Sequence, residues 1–236
     1  VPYGTKSPDT VIRYAQEIAS FLIKRDIKLL VVACNTASAV ALPTLRKLLS
    51  IPVVGVIEPG AKRAVEVTRS GVVGVIGTTG TVRSSAYSRA IKRLNPAVSV
   101  LARPCPLFVP LAEEGWTENE VTSMTAHLYL DELRNAAVDT LVLGCTHYPL
   151  LKKAIASVMG PDVTLVDSAE ETARTVASIL QEKKMLRPPA ERGNHHYYVT
   201  DIPAGFIRVG NRFLGGKLGD VYQVALDDCR VNTEKI

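Results

Sequence analysis

One local pattern occurs twice in this chain, and it dictates a fold class. The segments Leu29-Leu30-Val31-Val32-Ala33-Cys34-Asn35-Thr36 and Thr140-Leu141-Val142-Leu143-Gly144-Cys145-Thr146-His147 each run from apolar residues through a small residue to a cysteine, then to hydroxyl or amide groups. A helix-like segment follows each (42–49 and 150–158), then a turn carrying proline (50–52 and 160–162) and a second apolar run (53–57 and 163–166). Short apolar runs bounded by turn signals read as buried parallel strands alternating with helices. Both cysteines therefore fall at the C-terminal end of a strand and just before a helix, where open α/β sheets bind ligands. A single free cysteine in such a place reads first as a small hydrophobe of the core. Here each thiol is followed by Asn-Thr or Thr-His and the arrangement is duplicated, which favours a site with one acid/base group on each side of a substrate.

The same alternation extends along the chain. Residues 7–24 read as a helix, with Ser7 as its cap, Pro8 in its first turn, and Val11, Tyr14, Ala15, Ile18 and Leu22 at helical spacing. A helix over 58–69 ends at Gly71, a strand over 72–76 runs into Gly77-Thr78-Thr79-Gly80-Thr81, and a helix continues through Leu94. A loop rich in proline (Pro104, Pro106, Pro110) precedes a long helix over 119–135. After the second cysteine unit come a helix over 168–184 and a more irregular tail with a strand at 195–199. The expected fold is α/β, with two similar doubly wound parallel-sheet domains facing each other across a central cleft. Residues 1–57 plus 170–236 would form the first domain and 58–169 the second.

Composition narrows the function classes. In 236 residues, 47% hydrophobic and 22% charged is the balance of a soluble globular protein with an ample core. No apolar run approaches the roughly 20 residues of a membrane helix, and no secretory signal precedes the first helix. The net charge of +5 is scattered, which suits mild attraction of an anionic small molecule and gives no reason to expect nucleic acid or membrane as partner. The four cysteines show no metal-ligand spacing and no extracellular disulfide pattern, so free thiols in a reducing cytoplasm are expected, with no bound metal. Cys105, between two prolines, and Cys229, near the end of the chain, read as structural, and His127, His195 and His196 carry no special setting. The Gly74-to-Gly80 stretch lacks the dinucleotide fingerprint and the acidic residue that should follow it. What it offers is a helix N-terminus with free N–H groups and hydroxyls, suited to a carboxylate or another anion.

Several motifs, in order and over nearly the whole chain, resemble the cofactor-independent aspartate/glutamate racemase superfamily, and within it the glutamate racemases. They are residues 1–7 (Val-Pro-Tyr-Gly-Thr-Lys-Ser), 33–38 (Ala-Cys-Asn-Thr-Ala-Ser), 77–81, 106–115, 144–149 (Gly-Cys-Thr-His-Tyr-Pro) and 166–169. The resemblance implies racemisation of L- and D-glutamate without a cofactor, supplying D-glutamate for peptidoglycan synthesis in a cytoplasmic homodimer. It makes Cys34 and Cys145 the two acid/base groups, Cys34 serving D-glutamate and Cys145 the other enantiomer with help from His147. It assigns substrate contacts to Tyr3, Gly4, Asn35, Thr36, Thr78, Thr81 and Thr146, and brings Glu113 near the site. The family also opens with a strand ending in Asp-Ser-Gly, whose Asp supports the first thiol. Nothing here corresponds, and Asp167-Ser168 is no substitute, since it follows the second cysteine and lacks the glycine. The expectation is that the family's first strand and helix are missing, that an apolar sheet edge is left open, and that this chain alone racemises poorly. The alternatives are another racemase of the superfamily, acting on aspartate or a hydantoin, and a non-catalytic binding protein on the same scaffold.

Overall fold

Residues 2–188 and 193–226 are described by the structure, a computed structural model; Cys229 lies outside them. The first helix, α1 (Pro8–Ile23), starts as its sequence dictates, with the Thr10 N–H donating to the Ser7 hydroxyl and Pro8 in the first turn. Then follow β1 (Leu30–Val32), α2 (Asn35–Val40), α3 (Leu42–Leu48), β2 (Val53–Gly55) and α4 (Ile57–Val67). Strands β1 and β2 pair in parallel, Leu30 opposite Val53, over a cluster of Ala19, Leu30, Ala41, Leu42, Leu45 and Val53. Among the described residues β1 is paired on one side only, and Val31 is 38% exposed.

A second sheet is built from β3 (Val72–Gly77), β4 (Ser99–Pro104), β5 (Thr140–Gly144) and β6 (Thr164–Asp167), all parallel, in the order β4-β3-β5-β6. The chain begins at the middle strand β3, moves outward to β4, then crosses back to β5 and on to β6. The direction of winding therefore reverses between β3 and β5, and Gly77 at the end of one stands opposite Gly144 at the end of the other. Side chains alternate between the faces as the pleat requires. Val73, Val75 and Val142 pack with Ile57, Ala61, Tyr87 and Ile91. Ile76, Leu141 and Leu143 pack with Phe108, Leu130, Tyr148 and Ile155. The helices covering these faces are α4, α5 (Thr79–Arg83), α6 (Ala86–Leu94), α7 (Phe108–Glu114), α8 (Glu120–Asn135), α9 (Lys152–Met159) and α10 (Ser168–Glu182). Helix α10 packs on α4 and also reaches β2 and β5, so it ties the two sheets together. The tail holds β7 (Tyr197–Val199), α11 (Pro203–Leu214) and β8 (Val221–Gln223), with β7 and β8 parallel to each other.

Asp139 fixes the central strands at their other end. Its carboxylate accepts from the Thr68 hydroxyl at 2.7 Å, the Arg69 and Ser70 N–H groups at 2.6 Å each, and the Thr140 hydroxyl at 2.9 Å. Burial alone would raise this acid; the four hydrogen bonds prevail and hold it well below the usual carboxylate range. The turn after α4 is thereby tied to the start of β5.

The structure departs from the sequence reading in four places. The strand expected over 53–57 stops at Gly55, and α4 begins at Ile57. The single helix expected through Leu94 is two, broken where Ser85 takes a left-handed φ of 52°. The proline-rich stretch is not mere loop: it starts with the edge strand β4, which has no fully buried residue, and Pro104 at the end of an edge strand costs little. Pro110 lies in the first turn of α7, where its missing N–H has no partner to lose. The tail is more regular than its sequence suggests, with α11 and β8 beside the expected strand.

Phe108 is fully buried, with Tyr129 and Tyr148 both edge-on at 5.3 Å. Phe108→Ala is expected to lower unfolding free energy by about 3–5 kcal/mol, because the rigid surround cannot close the cavity. Urea titration measures this, and a loss below about 1 kcal/mol would show that the site collapses.

Candidate active site

The reversal of strand order between β3 and β5 makes a crevice at the C-terminal edge of the sheet, since the two following loops diverge there. One loop is the glycine-threonine turn and the other carries Cys145. Close approach is built in: a side-chain carbon on Gly144 would stand 2.7 Å from the Ile76 carbonyl oxygen, so only glycine fits before this cysteine. Thr78 caps α5, its hydroxyl accepting from the Thr81 N–H at 3.2 Å.

The first cysteine unit meets that turn. The Thr36 hydroxyl lies 2.8 Å from that of Thr78 and 3.1 Å from that of Thr81, and the latter two are 3.1 Å apart, a buried triangle of hydroxyls. Gly4 rests on Thr78 so closely that a side-chain carbon there would come within 2.5 Å of its Cβ. Burial first and then the Cys34 charge push the Tyr3 phenol up. Cys34 is half-buried and caps α2, its sulfur accepting from the Ala37 N–H at 3.5 Å. Burial raises its thiol pKa, while the Ala37 and Thr36 N–H groups and the Thr36 hydroxyl oppose the rise. Asn35, 2% exposed, accepts at Oδ1 from the Tyr87 hydroxyl at 2.7 Å, and its Nδ2 is buried without a partner.

Cys145 is buried beside a histidine–carboxylate pair. Its sulfur is 3.8 Å from His147 Nδ1, and His147 Nε2 is 3.1 Å from Glu113 Oε1. A carboxylate can only accept, so Glu113 assigns the ring proton to Nε2 and leaves Nδ1 as an acceptor for the thiol proton. This is the order nucleophile or acid, base, orienting carboxylate. Burial pushes the Cys145 thiol up to about 12, assisted by the charge of Cys34 and opposed by the His147 and Tyr148 N–H groups and the Thr146 hydroxyl. Each thiol is thus held protonated by its surroundings, and each has nearby groups that favour the thiolate.

The structure therefore gathers Tyr3, Gly4, Cys34, Asn35, Thr36, Thr78 and Thr81 on one side and Glu113, Cys145, Thr146 and His147 on the other. Cys105 is fully buried, and burial raises its thiol. The sequence reading missed the contribution of α11. Phe213 is edge-on to the His147 ring at 6.2 Å, Arg212 donates to the Glu113 carbonyl at 2.9 Å, and Arg208 pairs with Glu114 at 3.8 Å. The i, i+4 spacing of Arg208 and Arg212, matched to two adjacent glutamates, was the available signal. A cavity of about 710 Å³ between β2, α4, α6 and α10, lined by Arg46, Glu58, Lys62 and Arg93 among others, contains none of these residues.

Similarity to known proteins fixes the family. Residues 1–176 match the pattern of the Asp/Glu/Hydantoin racemases. The chain belongs to that family. It is 74% identical over 227 residues to the glutamate racemase of Geobacter metallireducens, covering 96% of this chain and 84% of the relative. Among solved structures, a glutamate racemase isoform of Bacillus anthracis superposes with a TM-score of 0.91 at 40% identity, covering 95% of this chain and 84% of that one. The glutamate racemase of Francisella tularensis, solved in complex with D-glutamate, gives 0.90 at 37% identity, covering 97% and 85%. The two parallel sheets and their covering helices are the racemase fold.

Proposed function

We propose that this chain interconverts L- and D-glutamate by a two-thiol mechanism. The carrying observation is the placement of Cys34 and Cys145, each just after a strand, with the Cys145–His147–Glu113 array beside one and the hydroxyl triangle beside the other. The 74% identity to a glutamate racemase supports glutamate over aspartate or a hydantoin as substrate.

One thiolate takes the α-proton from one face of glutamate, the electron pair spreads into the carboxylate, and the opposing thiol delivers its proton to the other face. Atoms and charge balance, and the two thiols end with their protonation states exchanged. Cys34 is the base toward D-glutamate and Cys145 toward L-glutamate. His147 accepts the Cys145 proton and so generates that thiolate, while Glu113 stabilises the imidazolium. Thr36, Thr78 and Thr81, with Asn35 and the N–H groups of the glycine turn, bind the carboxylates, and Tyr3, Gly4 and Thr146 complete the walls. The three hydroxyls and the N–H groups of the glycine turn stabilise the charge that develops on the α-carboxylate, the largest electrostatic demand of the reaction. The product D-glutamate serves peptidoglycan synthesis, and the protein works as a homodimer in the cytoplasm. No helix among the described residues is long and apolar enough to cross a membrane.

Circular dichroism following each glutamate enantiomer tests this. Both enantiomers should converge on the racemate. Failure to racemise glutamate, or faster turnover of aspartate, would overturn the assignment.

A further inference from the structure

We infer that Tyr87 is a positioning residue that locks the Asn35 side-chain amide with its NH2 group toward bound glutamate, an inference that rests on the substrate reading above. Tyr87, on α6, belongs to neither cysteine unit, yet it touches both. Its hydroxyl donates to Asn35 Oδ1 at 2.7 Å, one residue after Cys34. Its ring lies against Gly144, one residue before Cys145, where a side-chain carbon would stand 3.1 Å from Cε2. A side-chain carbon on Gly60 of α4 would stand 3.3 Å from the Tyr87 hydroxyl oxygen, so the ring is gripped from a second direction.

The direction of the hydrogen bonds follows from the neighbours. An amide oxygen can only accept, so the phenolic proton goes to Asn35 Oδ1. A phenol that donates needs an acceptor, so Oδ1 faces Tyr87 and Nδ2 points away. That Nδ2 is buried and has no partner. A buried donor without a partner has lost its water without compensation, and such groups call for an explanation. A carboxylate of the substrate supplies the acceptor. Without the Tyr87 hydroxyl, the amide is free to turn about Cβ–Cγ and present its carbonyl to that carboxylate, which repels it.

Tyr87→Phe keeps the ring and removes only the proton donor. It should raise KM for both enantiomers roughly tenfold, the size of one buried hydrogen bond, and change kcat by less than about threefold, because the amide binds substrate before and during proton transfer. Asn35→Ala should raise KM at least as much. Combined with Asn35→Ala, Tyr87→Phe should add less than about twofold, since the group it orients is gone. An unchanged KM in Tyr87→Phe, or a full multiplicative effect in the double variant, overturns the inference alone. An unchanged KM in Asn35→Ala overturns the substrate reading of Asn35, and the inference with it. If Tyr87→Phe does not fold, the Asn35 side-chain amide of the parent protein, observed by 15N relaxation, decides the matter. An order parameter near the rigid value of about 0.85 before glutamate is added supports the lock, and one below about 0.6 refutes it.

Discussion

Cys34→Ala and Cys145→Ala should each abolish racemisation, lowering kcat by roughly 10⁴-fold, the upper range for loss of a general acid or base. Racemisation needs a proton removed on one face and delivered on the other, and each thiol serves one face. Serine in either place should leave at most traces, because an alcohol is a far weaker acid at neutral pH. The two alanine variants should nevertheless differ in a diagnostic way. With Cys145 gone, Cys34 can still take the α-proton of D-glutamate and return a solvent-derived one to the same face. In D2O that variant should exchange the α-hydrogen of D-glutamate without inversion and leave L-glutamate alone; Cys34→Ala should do the reverse. NMR of the α-hydrogen reads both. Near-normal racemisation by either variant, or exchange of the wrong enantiomer, would remove the assignment of faces.

The second large effect is expected at His147. His147→Asn keeps a polar side chain of related shape but cannot hold a proton, so it should lower kcat/KM by about 10²–10³-fold. The loss must be equal for L- and D-glutamate, since free enantiomers have equal energy and both reach the same limiting transition state. The pH profile separates this role from a structural one. Because burial pushes the Cys145 thiol up to about 12, its thiolate is scarce at neutral pH and kcat/KM should rise with pH. Without the imidazole to take the proton, that rise should begin at higher pH. The same perturbation has a sign for stability: a raised thiol pKa means the fold favours the protonated form. That contribution is complete below the ordinary thiol value of about 8.5 and is lost as pH climbs toward about 12. A profile in His147→Asn parallel to that of the parent would show that the ring only packs there.

How far the sequence led depended on what each residue's setting made visible. The cysteine units were legible because β2 and β5 are buried parallel strands, and β1 and β6 beside them still carry short apolar runs. Strand β4 was not, because its apolar residues are interrupted by Ser99, closed off by Arg103 and Pro104, and none of them is buried within the strand. The break between α5 and α6 rests on one left-handed serine, which no local pattern announces. Within the site, Cys34, Cys145 and His147 stood out through their motifs. The hydroxyl triangle depends on residues 36, 78 and 81, and only folding brings the first to the other two. Tyr87 and Phe213 were invisible for another reason: an aromatic at helical spacing reads as core, and their contacts to Asn35 and His147 span 52 and 66 positions.

The triangle of Thr36, Thr78 and Thr81 also bears on how the site waits between turnovers. Three hydroxyls carry three protons, and each lies within 3.1 Å of the other two, so a cyclic arrangement can use every proton internally. A closed ring of this kind leaves no donor stranded and imposes no desolvation penalty on the resting protein. An arriving carboxylate needs only one hydroxyl to rotate outward, while the remaining two stay linked and the Thr81 N–H continues to hold Thr78. Recognition then costs a single torsion rather than the ordering of a loop. The anion is met by a donor whose backbone is already fixed at a helix start.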